Sequence, residues 1–232
     1  MRSVLALRWA FARLALVLAM VPMAGGCCIY HAHFDSDAVG NPPDTALPGL
    51  PIGDSATLST LAGVITVRSA IGDLPNQPVE VRMNGGAGGV DLLGTVAGTP
   101  PSSGKWLASW RGLVQKGSGP GILGSMVFRD STSLILAAVI YRDNGIIDFN
   151  GLFAAAGIGV AYTQERSQLF ELTIDMGRRT TSLSIDGNLV ATCQNMDFVE
   201  SNASNLARMG FEVGLTTAQA FGLDDMRICR EW

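Results

Sequence analysis

The sequence predicts an all-β protein: a two-sheet antiparallel β-sandwich of the jelly-roll type that follows an N-terminal signal helix. Three observations support this class. The 28 glycines and 10 prolines fall in short clusters along 232 residues, as expected for many short strands joined by turns. Two dipeptides that favour tight hairpins stand between β-type runs. Outside the leader no helical periodicity exceeds three turns, and a chain of this size can bury one large core.

The predicted strands follow one another at short spacing after a turn-rich stretch, 42–51, whose prolines exclude a helix. Each run is rich in apolar and β-branched residues and ends at a turn signal. They cover 63–69, 78–83, 90–97, 105–115, 125–130, 133–142, 146–150, 159–165, 167–176, 180–186, 188–193, 209–216 and 221–229.

Two hairpins are marked by their turn residues, Asn144-Gly145 and Asp186-Gly187. Both dipeptides accept the positive φ angles of type I′ turns, whose twist matches that of the flanking strands. The run 180–186 alternates serine with Leu183 and Ile185, which predicts a half-buried strand. The run 133–142, "SLILAAVIYR", is apolar on both faces, so it should lie inside a sheet with both sides covered.

The N-terminus has the order of a secretory signal. Arg2, Arg8 and Arg13 form a basic region, and the eight apolar residues 14–21 are followed by Pro22 and small residues. A membrane-spanning helix needs about 20 apolar residues, so this segment is too short to be one. We therefore predict a signal peptide over 1–26, then an anchor, first strand and proline-rich loop over 27–52. Residues 53–232 form the remainder of a single sandwich domain.

The charge balance limits the partners. Only 16% of residues are charged and the net charge is −4; without the three leader arginines, 13 basic and 20 acidic residues give −7. The chain has two lysines, Lys105 and Lys116. Binding to nucleic acid needs clustered basic residues that neutralise phosphates, so the composition argues against a nucleic-acid partner.

The stretch Ala24-Gly25-Gly26-Cys27 resembles the lipobox of bacterial lipoproteins, although that family usually carries Leu where Ala24 stands. The resemblance implies that Cys27 becomes the lipidated first residue of the mature chain and anchors it to a membrane. The next residue is Cys28 and not Asp, which implies sorting to the outer membrane. Plain secretion with cleavage near 24–26 is the alternative, and it would leave the protein periplasmic or extracellular.

Two further cysteines agree with export. Cys193 and Cys229 are a natural disulfide pair in an oxidising compartment. The loop of about 36 residues that they would close is worth about 3 to 4 kcal/mol in the chain-entropy model. Two free buried thiols are the alternative. No spacing of Cys and His indicates a zinc site.

A family resemblance rests on "FELTIDMGRRTTSLSIDGNLVAT" (170–192), on "GFEVGLTTAQAFGLDDMRIC" (210–229) and on the opening stretch "AHFDSDAVGNPP" (32–43). These segments resemble the concanavalin A-like lectin and glucanase superfamily, including its laminin-G-like branch. The resemblance implies a last strand that returns beside the first. It leaves activity open, because this fold carries lectins, hydrolases, lyases and adhesion modules.

Aromatic residues are the first candidates for a ligand site. Trp106 and Trp110 share one face of the strand 105–115, about 13 Å apart, which suits stacking on two sugar rings. Tyr141 and Arg142, near a hairpin end, would add polar contacts. Inward packing of both tryptophans into the core is the alternative, given their large apolar area.

Acidic and histidine residues are the remaining candidates. Asp35, Asp37, Asp224 and Asp225 would meet if the first and last strands are neighbours, and calcium prefers such oxygen ligands. No other cofactor is indicated. His31 and His33 share a strand face, as a metal site or proton relay would require. Glu171 and Asp175 share another face, but the E-x-D-x-x-E motif of laminarinase-like hydrolases is absent.

These observations predict an exported, lipid-anchored cell-envelope protein. Its concanavalin-like domain would bind a glycan or an envelope protein without catalysis. The alternative is an envelope carbohydrate-active enzyme, a glycoside hydrolase or polysaccharide lyase, whose site has no recognised motif. A purely structural envelope protein is a third possibility. Whether the chain is an enzyme is left open by the sequence.

Overall fold

The structure, a computed structural model, describes residues 28–32, 34–35, 37–43, 57–60, 63–74, 77–83, 90–96, 98–115, 122–142, 144–150, 159–213 and 220–231. The predicted signal peptide, Cys27 and His33 lie outside the described residues. Within these ranges, no helix is long and apolar enough to cross a bilayer. The short 3₁₀ turn Ala191–Cys193 interrupts the predicted strand 188–193.

Sixteen strands account for most of the described residues. They are β1 Cys28–Ala32, β2 Thr57–Thr60, β3 Gly63–Val67, β4 Val79–Met83, β5 Val90–Thr95, β6 Lys105–Val114, β7 Ile122–Arg129, β8 Ile135–Arg142, β9 Ile146–Phe149, β10 Gly159–Ala161, β11 Gln168–Asp175, β12 Thr180–Ile185, β13 Asn188–Leu189, β14 Met196–Asp197, β15 Arg208–Val213 and β16 Ala220–Arg230.

The strands form two antiparallel sheets, which confirms the predicted β-sandwich. The first sheet runs β13-β12-β11-β6-β16-β4-β3, with β1 also paired to β16 and β14 to β12. The second runs β10-β9-β8-β7-β15-β5-β2. We call them sheet A and sheet B. Strand β4 pairs with the first half of β16, and β1 pairs with its second half. The last strand therefore returns beside the first, as the family resemblance implies.

The core lies between the sheets and is rich in aromatic rings. On β6, the even-numbered residues Trp106, Ala108, Trp110 and Val114 point inward and are buried. Trp110 stacks on Phe170 of β11, with ring centroids 5.5 Å apart. Sheet B contributes Phe128, Tyr141 and Phe211, all fully buried, to the facing layer. Because side chains alternate along a strand, the odd-numbered residues of β6 must lie on the outer face of sheet A.

Both predicted hairpins are present. Asp186 and Gly187 have φ angles of 51° and 75° and join β12 to β13, as a type I′ turn requires. Gly145, with φ 76°, lies in the turn between β8 and β9, but Asn144 does not have a positive φ, so the hairpin is present and the predicted type I′ turn at this position is wrong. The doubly apolar strand β8 sits inside sheet B between β7 and β9. Its outward residues Ala138 and Ile140 are buried too, which confirms the prediction from its composition.

The predicted disulfide is wrong in its pairing. Cys229 is bonded to Cys28, and Cys193 is a buried free thiol. The register explains this, because Cys28 stands opposite Cys229 across the β1–β16 pair. Cys193 follows β13 beside β12, and β11 and β6 separate β12 from β16. Three strand spacings amount to about 14 Å, beyond the reach of a disulfide.

Candidate functional site

The tryptophans that the sequence offers as a ligand platform are not available for stacking. Trp106 is 8% exposed and Trp110 is fully buried. The indole Nε1 of Trp110 donates to the Tyr141 hydroxyl at 3.0 Å, and that of Trp106 donates to the Ser103 carbonyl at 2.9 Å. The alternative of inward packing is therefore the observed arrangement. It follows from the alternation of β6, which directs both rings between the sheets.

Tyr141 and Arg142, which the sequence offers as polar partners of the tryptophans, make contacts with other residues. Tyr141 is 1% exposed and lies among the core rings, in edge contact with Phe170 and Tyr162. Burial raises the pKa of its hydroxyl far above the ordinary value, despite the hydrogen bond from Trp110. Arg142 forms a salt bridge with Asp148 on the neighbouring strand β9. The four residues do not form a common surface.

The outer face of sheet A carries a different set of polar groups. Cross-strand partners share a face, and the registers link five residues in one line across five strands. Ser184 of β12 is opposite Glu171 of β11, Glu171 is opposite Ser109 of β6, Ser109 is opposite Arg227 of β16, and Arg227 is opposite His31 of β1. We call Ser184, Glu171, Ser109, Arg227 and His31 the polar row. It spans four strand spacings, about 19 Å.

A β-bulge adds two carboxylates to this face. The register of β16 against β6 shifts between Asp224 and Arg227. Residues Leu223 and Met226 both point into the core, so the bulge replaces the single outward residue of a regular strand with Asp224 and Asp225. Asp225 adopts φ 49°, a left-handed conformation that Asp tolerates better than most residues. Bulges of this kind re-aim side chains and recur next to functional sites.

Asp225 ties the row together through hydrogen bonds. Its Oδ1 lies 3.1 Å from His31 Nε2, and its Oδ2 accepts from the Arg227 guanidinium at 3.0 Å. The Nε of Arg227 donates to the Ser109 hydroxyl oxygen at 3.0 Å. About 29% of the His31 and Asp225 side chains and 43% of Arg227 are exposed. The network is thus fixed in place and still open to a ligand.

Asp224 has a different environment from its neighbour. It is 8% exposed and accepts a hydrogen bond from the Asp225 backbone N–H at 2.8 Å. Loss of solvation raises the pKa of its carboxyl to about 6, and the nearby carboxylates of Asp35 and Asp225 act in the same direction. The guanidinium of Arg111 opposes them. The carboxyl of Asp224 therefore keeps its proton to a higher pH than an ordinary aspartate does.

Two charged side chains, Arg111 beside the polar row and Glu171 within it, make no hydrogen bond or ion pair in the described part of the chain. Arg111 is exposed and faces Asp224 across β6 and β16 without a hydrogen bond to it. Glu171 is partly exposed and makes no hydrogen bond or ion pair there. Groups with unused hydrogen-bonding capacity on a preformed polar surface are those that a ligand can engage.

The predicted calcium ligands come together only in part. Asp35 and Asp225 are each close enough to Asp224 to raise its pKa, and Asp37 is a buried residue in the chain after β1. Over the ranges that the structure describes, no three His, Cys, Asp or Glu side chains are placed to hold a metal ion. His31 pairs with Asp225, and Asp175 lies four residues along β11 from Glu171, opposite Lys105.

Sequence reasoning missed Ser109, Arg111 and Arg227. The alternation of "KWLASWRG" does carry a signal for the first two, because the face opposite the tryptophans bears both. Two consecutive acids in the apolar strand 221–229 are a sign of a bulge, since a regular half-buried strand would bury one of them. The pairing of Arg227 with Asp225 depends on that bulge and has no sequence signature.

No protein-family model matches the chain, and no curated protein matches it. Solved structures do. A sialidase superposes with TM-score 0.59 and 11% identity over 75% of this chain, which spans 17% of the sialidase. The catalytic domain of a glycoside hydrolase family 131 protein from Coprinopsis cinerea gives TM-score 0.58 and 11% identity, over 89% of this chain and 95% of that one.

A carbohydrate esterase from Shiga toxin-encoding bacteriophage phi24B gives TM-score 0.53 at 11% identity, over 76% of this chain and 90% of the esterase. At these identities the likeness concerns the fold and carries no residue roles. The chain is a two-sheet antiparallel β-sandwich, and its fold is similar to the folds of these three solved structures.

Proposed function

We propose that this is an exported cell-envelope protein whose sandwich binds a glycan on the outer face of sheet A, without catalysis. The observation that carries the proposal is the polar row with its bulge. It presents fixed hydrogen-bond donors and acceptors across five strands, and Glu171 within the row and Arg111 beside it make no hydrogen bond in the described part of the chain. Sugar hydroxyl groups can both donate hydrogen bonds to such groups and accept them.

A binding experiment on the row tests this proposal. We expect an immobilised glycan array to give a signal with the wild-type protein. Arg111→Ala and Glu171→Gln should each weaken binding about tenfold, the effect of losing a hydrogen bond to a charged group. Matched controls are Arg178→Ala, an exposed arginine in the turn after β11, and Glu165→Gln, an exposed loop residue.

Two outcomes would contradict the proposal. One is the absence of any glycan signal with folded wild-type protein. The other is equal binding by the row variants and the control variants, which would move the binding surface elsewhere on the sandwich. Circular dichroism of each variant separates a lost contact from a lost fold.

Export and anchoring are part of the proposal. The disulfide between Cys28 and Cys229 supports maturation in an oxidising compartment such as the periplasm or the cell exterior. Lipidation at Cys27 would then place the sandwich on the outer membrane, since several acyl chains on one residue give stable anchoring. Intact-mass analysis of the membrane fraction should find an acylated Cys27. An unmodified, leader-free protein in the medium would contradict the anchor and leave export standing.

One observation favours a second candidate, an envelope glycoside hydrolase. Asp224 and Asp225 lie side by side on one face, and the pKa of Asp224, about 6, suits a general acid that protonates a leaving oxygen. Asp225, the neighbouring carboxyl group, is held between His31 and Arg227 by hydrogen bonds. Release of new reducing ends from a bound polysaccharide, abolished in Asp224→Asn, would support this reading over pure binding.

A further inference from the structure

The first described strand begins at one end of the sandwich, where central strands of sheet A also begin or end. β1 begins at Cys28, and the disulfide to Cys229 fixes that residue to the end of β16. At the same end β6 begins at Lys105, opposite Asp175 at the end of β11. We call this the anchor end, because the proposed lipidation site, Cys27, is the residue before Cys28.

Sheet B reaches the same end of the sandwich. There β5 and β7 end and β15 begins, at Thr95, Arg129 and Arg208, which stand opposite one another. The connection from β5 to β6 joins the two sheets: its Gly104 carbonyl accepts from the Met176 N–H at 3.0 Å, and its Pro101 carbonyl accepts from the Leu206 N–H at 2.9 Å. The anchor end is therefore one continuous, hydrogen-bonded surface made by both sheets.

The anchor end differs in charge from the remainder of the molecule. Within the described residues it carries six basic and five acidic residues, whereas the other described ranges carry six basic and twelve acidic ones. The basic residues are Lys105, Arg178, Arg179 and Arg230, all exposed, and Arg129 and Arg208, which are partly exposed. Of the acids, Asp130 is buried and Glu200 binds a backbone N–H; the others are Asp175, Asp197 and Glu231. The carboxylate surplus elsewhere repels an anionic surface, and the anchor end does not.

The proposed anchor leaves the sandwich little freedom to turn on the membrane. A flexible linker of many residues would let the fold face any direction. Here Cys27 and Cys28 are adjacent, so only about 3.8 Å separates their Cα atoms. Cys28 belongs to a strand that is both paired and disulfide-bonded to β16. With Cys27 acylated, the membrane surface lies against the anchor end.

We propose that the anchor end is a membrane-docking surface whose partner is an anionic lipid bilayer. The inference rests on the proposed acylation of Cys27, and it adds which face of the sandwich meets the headgroups. Lys105, Arg178 and Arg230 contact those headgroups, and the strands stand with their ends toward the bilayer. His31 is three residues from Cys28, so the polar row lies about 10 Å from the anchor and runs parallel to the membrane.

Fluorescence quenching on the lipidated protein tests the docking surface. The full chain is purified from the membrane fraction and reconstituted in vesicles of phosphatidylethanolamine and phosphatidylglycerol whose headgroups carry a quencher. A fluorophore is attached at Ser103→Cys, an exposed position at the anchor end, or at Asn188→Cys, an exposed position beyond the opposite end of β12. We expect quenching to be several-fold stronger at position 103 than at position 188.

Two results would overturn the inference, and they can be told apart. Equal quenching at both positions of a membrane-attached protein would refute the docking surface and leave the anchor intact. Absence of acylated protein from the membrane fraction would refute the anchor and the docking surface together. Glycan binding by the sandwich is measured separately on the array and does not depend on either result.

A charge variant tests which residues meet the lipid. Arg178→Glu should lower the quenching at position 103 several-fold on the phosphatidylglycerol vesicles, because it places a carboxylate against anionic headgroups. The matched control is Arg166→Glu, which changes an exposed arginine before β11 at the opposite end and should leave the quenching unchanged. Vesicles of phosphatidylcholine alone, which carry no net charge, should remove the difference between the two variants. Equal effects of both variants on the anionic vesicles would contradict the assignment of Arg178 to the lipid contact.

Discussion

At the scale of single residues, the site depends on one inserted position in β16. The bulge turns both Asp224 and Asp225 to the outer face, and the left-handed backbone at Asp225 costs about 1 kcal/mol or more relative to a regular strand. The hydrogen bonds to His31 and Arg227 offset this cost only in the folded sheet. The two consecutive acids in the strand 221–229 indicate a bulge, but the sequence does not show that Asp225 will pair with His31 and Arg227.

Asp224 should give the protein an unusual pH dependence. Its folded-state pKa, about 6, exceeds the unfolded value of 3.8 because burial disfavours the charged form. Between pH 3.8 and about 6, the folded state holds a proton that the unfolded state has lost. The free energy of unfolding therefore falls as the pH rises through this range. The total decrease in the free energy of unfolding that Asp224 causes is up to about 3 kcal/mol. Urea denaturation at several pH values between 4 and 7 should show the fall, and Asp224→Asn should remove most of it. An unchanged slope in this variant would contradict the assignment.

Trp110 should behave as a core residue and not as a ligand contact. Trp110→Ala removes a fully buried ring stacked on Phe170 and should lower the free energy of unfolding by about 3 to 5 kcal/mol. Tyr141→Phe leaves the indole N–H without its acceptor and should cost about 1 to 3 kcal/mol. Chemical denaturation measures both. If Trp110 and Tyr141 are core residues, a folded Tyr141→Phe protein should bind glycan with wild-type affinity. A loss of affinity without a loss of stability would contradict this.

At the scale of elements, the turn between β7 and β8 is built around one carboxylate. Asp130 is 1% exposed, and its Oδ1 accepts from the Thr132 backbone N–H at 2.8 Å, the Thr132 hydroxyl at 2.7 Å and the Leu134 backbone N–H at 3.0 Å. Its Oδ2 accepts from the Ser204 backbone N–H at 3.2 Å, which ties the turn to the chain entering β15. Burial alone would raise the pKa of Asp130, but these hydrogen bonds outweigh it and lower the pKa below 3.8.

Asp130 should make the protein less stable as the pH falls, whereas Asp224 should make it less stable as the pH rises. The stabilising effect of Asp130 is complete above its unfolded pKa and is lost as the pH falls through the lower folded value. Asp130→Ala should cost about 3 kcal/mol at pH 7, because several backbone N–H groups lose their acceptor. Thermal unfolding at pH 7 and pH 3 should show a smaller gap between variant and wild type at the lower pH. Ser131→Ala, an exposed change in the same turn, is the control.

Local sequence signals predict individual strands and hairpins well, but they predict less well which strands pair with each other. The Asp186-Gly187 hairpin and the doubly buried β8 follow from turn chemistry and from composition over a few residues. The pairing of β1 with β16 joins residues about 200 positions apart. Only the family resemblance predicts this pairing. The polar row needs four such pairings in register at once, and no single stretch of sequence specifies a register between distant strands.

At the scale of the whole molecule, the bond between Cys28 and Cys229 joins the first described strand to the last. Their sequence separation is 201 residues, and closing a loop of that size is worth about 5 kcal/mol in the chain-entropy model. The same bond holds β1, and with it His31, against Asp225. Stability and the site are therefore coupled through one covalent link.

Breaking the disulfide should disturb β1 and the polar row more than the rest of the β-sandwich. Cys28→Ser with Cys229→Ser, or reduction by dithiothreitol, should increase amide hydrogen exchange in β1 and weaken glycan binding. Exchange in β8 should change little, because β8 is buried on both faces in the other sheet. Cys193→Ala is the matched control, since this buried thiol has no bonded partner. Equal exchange rates in β1 with and without the bond would show that strand pairing alone suffices.

The position of that bond also determines how the protein meets proteolysis. Nearly every described residue lies between the two joined cysteines, so the backbone forms a closed ring. A protease that cuts one exposed turn opens the ring but releases no fragment, and the two pieces remain in place as neighbours within the same layered fold. In a compartment where peptidases are common, such a nicked molecule would keep its shape until a reductant separated the pieces.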